Sequence, residues 1–191
     1  MKQMYIDDKK FTDNDLHKNP LVKASYENCN FVNCDLSNSD FSEFIFTDCN
    51  FSGCNLSLAK LSKTALRNVN FKECKMLGLH FDDCNQFGIE FSFENCILNH
   101  ASFYKMKIKS RIFKNCHLLE TDFSECDLTG SVFENCDLAG AAFDNTNLEK
   151  TDFRTSFNYS IDPEINNIKK AKFSLPEVLG LLRKYDIVIE K

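Results

Sequence analysis

Large apolar residues recur along this chain at every fifth position. Between Phe113 and Phe153 they are Phe113, Leu118, Phe123, Leu128, Phe133, Leu138, Phe143, Leu148 and Phe153, and a small residue stands two places ahead of nearly all of them. A period of five matches neither the 3.6-residue turn of an α-helix nor the simple alternation of a half-buried strand. In extended backbone, residues two apart point to one side, so each pentad buries its large residue and the small one before it. The remaining positions, rich in Asn, Asp, Ser, Glu and Gly, are left for water and for tight corners. The pattern predicts short strands joined by regular corners, an internally repeated structure.

Upstream the phase is firm from Tyr26 through Phe31, Leu36, Phe41, Phe46, Phe51, Leu56, Leu61, Leu66, Phe71, Met76 and Phe81. It lapses at Gln86 and resumes at Leu98 and Phe103 displaced by two, which places a bulge or short loop within CNQFGIEFSFENC. With that insertion subtracted, Phe11, Phe31, Phe51, Phe71, Phe113, Phe133, Phe153 and Phe173 keep a spacing of 20, and Leu16, Leu36, Leu56, Met76, Leu98, Leu118 and Leu138 form a second column. Four pentads therefore make one turn of an all-β, four-sided parallel β-helix. Phe11 to Phe173 covers eight turns. At ~4.8 Å between neighbouring strands, the rod is roughly 38 Å long and held together turn against turn.

The ends depart from the repeat. Residues 1–25 follow it loosely, with Asn19-Pro20 breaking the strand pattern, and are expected to form an N-terminal cap ahead of a coil over 26–173. In 174–191, Ser174-Leu175-Pro176-Glu177 reads as a capping box before a short helix, and Ile187-Val188-Ile189 as a strand. Leu175, Val178, Leu179, Leu181, Leu182, Ile187 and Ile189 supply more apolar surface than so short a helix buries by itself. They are expected to cover the open end of the coil, within one chain or as a contact between two.

Composition sharpens this picture. Nineteen Phe and no Trp in 191 residues fit one slot used over and over. All ten Cys occupy the small inward slot, six of them (Cys34, Cys54, Cys74, Cys96, Cys116 and Cys136) in one column. The first residues lack the apolar run of a signal peptide, so the thiols are expected to be reduced and the protein cytoplasmic. Packing as small apolar side chains explains them better than a metal site, since no C-x-x-C pair occurs. No apolar run is long enough to cross a membrane. A net charge of -5 opposes direct nucleic-acid binding. His17, His80, His100 and His117 are scattered, and neither a glycine-rich phosphate loop nor an H-E-x-x-H motif appears. The expectation is a protein without catalysis, cofactor or metal.

Two charge patterns stand out. On the face whose core residues are Phe41, Leu61, Phe81, Phe103, Phe123 and Phe143, the outward positions hold Asp40, Glu43, Asp82, Asp83, Asp122, Glu125 and Asp144, interrupted by Lys60, Lys63 and Lys105. This stripe is either a docking surface for a basic partner or a solvated face. The run Tyr104 to Asn115 holds Lys105, Lys107, Lys109, Arg111 and Lys114, and puts Arg111 in a slot that should be small and buried. Either Arg111 reaches outward or the segment leaves the wall as a loop.

Pentads such as CDLTG, CDLAG, CNLSL and TDFSE, repeated over residues 26 to 173, resemble the pentapeptide-repeat pattern A(D/N)LXX. More narrowly, FGIEF and the ending AKFSLPEVLGLLRKYDIVIE resemble the Qnr and MfpA group. That resemblance implies a right-handed quadrilateral β-helix, a homodimer joined at its C-terminal ends, and an acidic rod that mimics DNA, binds a type II topoisomerase (DNA gyrase or topoisomerase IV) and protects it from quinolones. It also implies a projecting loop, for which Lys105, Lys107, Lys109 and Arg111 are the candidates.

Overall fold

A computed structural model of the chain describes residues 4–18, 20–185 and 187–190, the side chains of His17 and Lys18 excepted. Among the described residues eleven short strands follow one another: β1 (Tyr5–Asp7), β2 (Lys10–Thr12), β3 (Ser25–Glu27), β4 (Asn30–Val32), β5 (Ile45–Thr47), β6 (Asn50–Ser52), β7 (Ala65–Arg67), β8 (Val69–Lys72), β9 (Phe91–Glu94), β10 (Ile112–Lys114) and β11 (Val132–Glu134). All pair in parallel, as one sheet of four strands (β1-β3-β5-β7) and one of seven (β11-β10-β9-β8-β6-β4-β2). The register repeats every 20 residues, as in Phe11↔Phe31 and Phe31↔Phe51, and lengthens by two at Phe71↔Phe93. The other two faces are stitched by single bridges such as Asp35↔Asn55 and Ser102↔Asp122. The molecule is a four-sided parallel β-helix.

Each corner is built from the polar residues of its pentad. An Asp or Asn just ahead of the large residue accepts a hydrogen bond from the backbone N–H two residues on, as in Asp40 to Ser42 at 2.9 Å and Asp122 to Ser124 at 2.8 Å. That bond closes the turn locally. The residue after it is left-handed: Asn33 has φ 50°, Asn38 φ 56°, and even Leu58 is held at φ 59°. Such a conformation disfavours side chains other than Gly and Asn. It is held because the N–H at each corner donates to the next turn, Asn33 to the Ser52 carbonyl at 2.8 Å and Leu58 to that of Leu77 at 2.9 Å.

Inside, the large residues form columns. Phe11, Phe31, Phe51, Phe71, Phe93, Phe113, Phe133, Phe153 and Phe173 stack ring on ring with centroids 4.4 to 5.5 Å apart. A neighbouring column meets it edge to face, Phe123 lying 5.8 Å from Phe113 at 86°. Both geometries suit the ring quadrupole.

Three expectations need correction. The coil starts at Tyr5, well before residue 26: β1 and β2 pair in register with β3 and β4, and only the six-residue helix α1 (Asp13–Lys18) replaces a stretch of wall. Residues 1–3 and 19 of the expected cap lie outside the described residues. The C-terminal segment forms two short 3₁₀ turns, Glu177–Leu181 and Arg183–Tyr185, instead of an α-helix with a capping box. Pro176 is the cap and makes no side-chain hydrogen bond, while the Glu177 carboxylate accepts from the backbone N–H of Asn158 at 3.4 Å. Gly180 lowers helix propensity and packs on Tyr159 so closely that a Cβ would lie 2.4 Å from the Tyr159 carbonyl. Ile187, Val188 and Ile189 are exposed and form no strand. Thirdly, Lys105, Lys107, Lys109 and Arg111 do not form a loop. Met106, Ile108 and Phe113 are buried and Lys107 bridges Asp127, so the segment stays in the wall.

Candidate protein-binding faces

The seven acidic residues share one outward face, whose backbone rows are tied by the bridges Asp40↔Lys60, His80↔Ser102, Ser102↔Asp122 and Asp122↔Ala142. They are not equally available. Glu43 is ion-paired with Lys23, which holds its carboxyl below the usual range, and Ser42 does the same for Asp40 through its hydroxyl and N–H. Glu125 accepts from the Tyr104 hydroxyl at 2.9 Å and lies 3.4 Å from Lys105 Nζ. Asp82 is half-buried, with Oδ1 3.6 Å from His80 Nδ1, and Asp122 is engaged at its corner. Asp83 and Asp144 stand exposed. The face is negative over its length but partly neutralised within itself.

Where the repeat slips, the wall opens. Asn85 still donates to the Thr64 carbonyl at 2.9 Å, and Glu90 donates to that of Leu66 at 2.8 Å, so the two extra residues fall between them. This bulge ends the four-stranded sheet at β7. It also accounts for Arg111. The Phe71↔Phe93 and Phe93↔Phe113 registers set Arg111 beneath Phe91, and its guanidinium reaches the Ile89 carbonyl at 3.0 Å and the Glu90 carboxylate at 3.4 Å. The cation is paired by the turn above and remains in its slot.

At the C-terminal end, Leu175 is 87% and Val188 89% exposed. Leu179, Ile187 and Ile189 are about half exposed, while Val178, Leu181 and Leu182 are partly buried. Leu179, Leu182, Arg183, Ile187 and Ile189 line one shallow groove. Lys184 fastens this segment to the last turn through Asp162 at 2.7 Å and Glu164 at 2.6 Å.

All ten thiols are free and buried. Most donate to a carbonyl of the preceding turn, Cys54 to Phe31 at 3.4 Å and Cys136 to Phe113 at 3.3 Å. Among the described residues no group of His, Cys, Asp and Glu is arranged to hold a metal ion. His80, His100 and His117 are exposed; the His17 side chain lies outside the described residues. Burial pushes the Cys49 and Cys126 thiols up to about 12. An unfolded chain ionises its thiols from near the ordinary value of 9.0 while the folded chain keeps these protons, so stability is full below that pH and falls as pH rises toward 12. Urea midpoints measured across this range should drop, and native protein at pH 8 should leave Ellman's reagent nearly uncoloured until denaturant exposes ten thiols. Stoichiometric zinc released on unfolding would contradict the packing account.

Among the described residues, no helix is long and apolar enough to cross a membrane. No curated protein sequence matches the chain. Among solved structures, full-length QnrB1, a plasmid-mediated fluoroquinolone resistance protein, is 20% identical over 97% of this chain and 98% of its own, with a TM-score of 0.41. HetL, involved in heterocyst differentiation regulation in the cyanobacterium Nostoc, is 14% identical over 89% and 85%, with a TM-score of 0.37. The family model for the pentapeptide repeat region matches residues 24–92 and 89–157, most of the coil built from these corners and columns, and the chain belongs to the pentapeptide-repeat family.

Proposed function

We propose that the protein is a non-catalytic DNA mimic that binds a type II topoisomerase, DNA gyrase or topoisomerase IV, and shields it from quinolones, acting as a homodimer joined at its C-terminal ends. The observation that carries this reading is the stripe of seven carboxylates along one side of a narrow rod. A row of negative charge repeating turn by turn attracts a surface evolved for the phosphates of a duplex and speeds its encounter. The resemblance of the repeats and the C-terminal ending to the Qnr and MfpA group points the same way. A second reading, a scaffold or self-immunity protein with an unrelated partner, draws on the Lys23–Glu43 and Lys105–Glu125 pairs, which quench part of the stripe.

A gyrase supercoiling assay with and without quinolone separates the two. The protein should relieve quinolone inhibition, and Asp83→Lys with Asp144→Lys, both at exposed positions, should remove that effect without lowering the melting temperature. Unchanged supercoiling by wild-type protein at any drug level would favour the second reading.

A further inference from the structure

Phe87 is the most exposed Phe of the chain and fills none of the inward slots of the repeat. It sits in the bulge between Asn85 and Glu90 and is 81% exposed, whereas no other Phe of this chain exceeds 36%. The bulge is not a slack insertion. Arg111, from the turn below, fastens its far end by the Ile89 carbonyl and Glu90 bonds, and Gly88 turns it at φ 67°. An apolar ring held out from the wall in this way is set up as an anchor, because a few side chains that become fully desolvated in a partner's pocket carry most of the energy of a contact.

The surroundings of the ring are mixed in charge: Glu90, paired with Arg111, and the exposed Asp83 flank the bulge, and two further cations stand by it. Arg67 Nε lies 3.9 Å from where a Cβ on Gly88 would stand. The His80↔Ser102 bridge sets the register that puts Lys107 one turn below Asn85, where the bulge begins. Among the described residues neither Arg67 nor Lys107 has a carboxylate in ion-pair reach, in contrast to Lys105 and Lys109, which face Glu125 and Asp127. The two cations therefore keep their charge for a partner.

We infer that the bulge is a second interaction surface, in which Phe87 enters an apolar site on a protein segment whose rim is acidic, with Arg67 and Lys107 meeting that rim. Its two unpaired cations are opposite in sign to the acidic stripe, so it selects a different segment. The inference holds whether or not the stripe binds a topoisomerase.

The test places a photoreactive residue, Phe87→p-benzoylphenylalanine, in the full chain, irradiates producing cells and sequences the adducts by mass spectrometry. Captured segments should carry net negative charge beside an apolar attachment point. R67E with K107E should cut adduct yield about tenfold at an unchanged melting temperature. Arg111→Ala should also lower the yield, with the circular dichroism of the coil retained. Basic or neutral captured segments, adducts between copies of this chain alone, no adduct, or a yield insensitive to the charge reversal would each overturn the inference.

Discussion

Phe133→Ala is expected to lower folding stability by ~3 to 5 kcal/mol, whereas Glu134→Ala beside it should leave stability nearly unchanged. The Phe133 ring lies 4.8 Å from Phe113 and 5.0 Å from Phe153, within 7° of parallel to both, and meets Phe123 edge-on at 5.6 Å. Its removal leaves a cavity bounded on four sides by backbone that is hydrogen-bonded turn to turn, and so cannot collapse to fill it. Glu134, one residue on, points into water. Thermal or urea melts of the two variants check this. Equal midpoints would sink the inward assignment of the column.

The second large effect is on assembly. In solution the wild-type chain should be a dimer, and Leu179→Asp with Leu182→Asp should turn it into a folded monomer whose affinity for gyrase is weakened. Leu175, Leu179, Ile187, Val188 and Ile189 are half to almost wholly exposed at one end of the rod, a concentration of apolar surface that a second copy would cover. Since Leu179 is already half exposed and Leu182 only partly buried, charges there spare the coil. Two rods of roughly 38 Å, end to end, approach the length of ~23 base pairs at 3.4 Å per step, long enough to meet both halves of a two-fold enzyme. Light scattering gives the mass and a gyrase binding titration the affinity. A monomeric wild type, or a monomeric variant that binds at full strength, defeats the proposal.

The coil was legible because one rule is stated many times over. Phe133, Leu138 and Phe143 are each flanked by the same corner chemistry, so periodicity alone sets the columns, and the two-residue slip announces the bulge. What the periodicity does not carry is what depends on a single neighbour. Ile6 sits among charged residues, and only its pairing partner Tyr26 reveals that the strand holding it belongs to the wall. Arg111 looked homeless because the carbonyl and carboxylate that receive it come from a segment outside the repeat. Phe44 and Phe91 fill slots expected to be small, and the stacking of Phe44 on Tyr26 at 5.9 Å shows the extra room being used. The C-terminal segment followed its packing on Tyr159 over its helical pattern. Phe87 could have been found beforehand, as an aromatic out of phase with every column.

The end of the four-stranded sheet at β7 has a mechanical consequence. At the bulge the ladder stops on one side after β7, while on the adjoining side the pairing lengthens to a four-residue register between β8 and β9. Because each turn of a solenoid touches only its neighbours, the compliance of the rod is set joint by joint. This joint is laddered along one side and held by isolated backbone bonds along the adjoining one, so it is expected to be the softest step of the rod. A partner that seized that side would therefore act on the step of the rod that yields most easily.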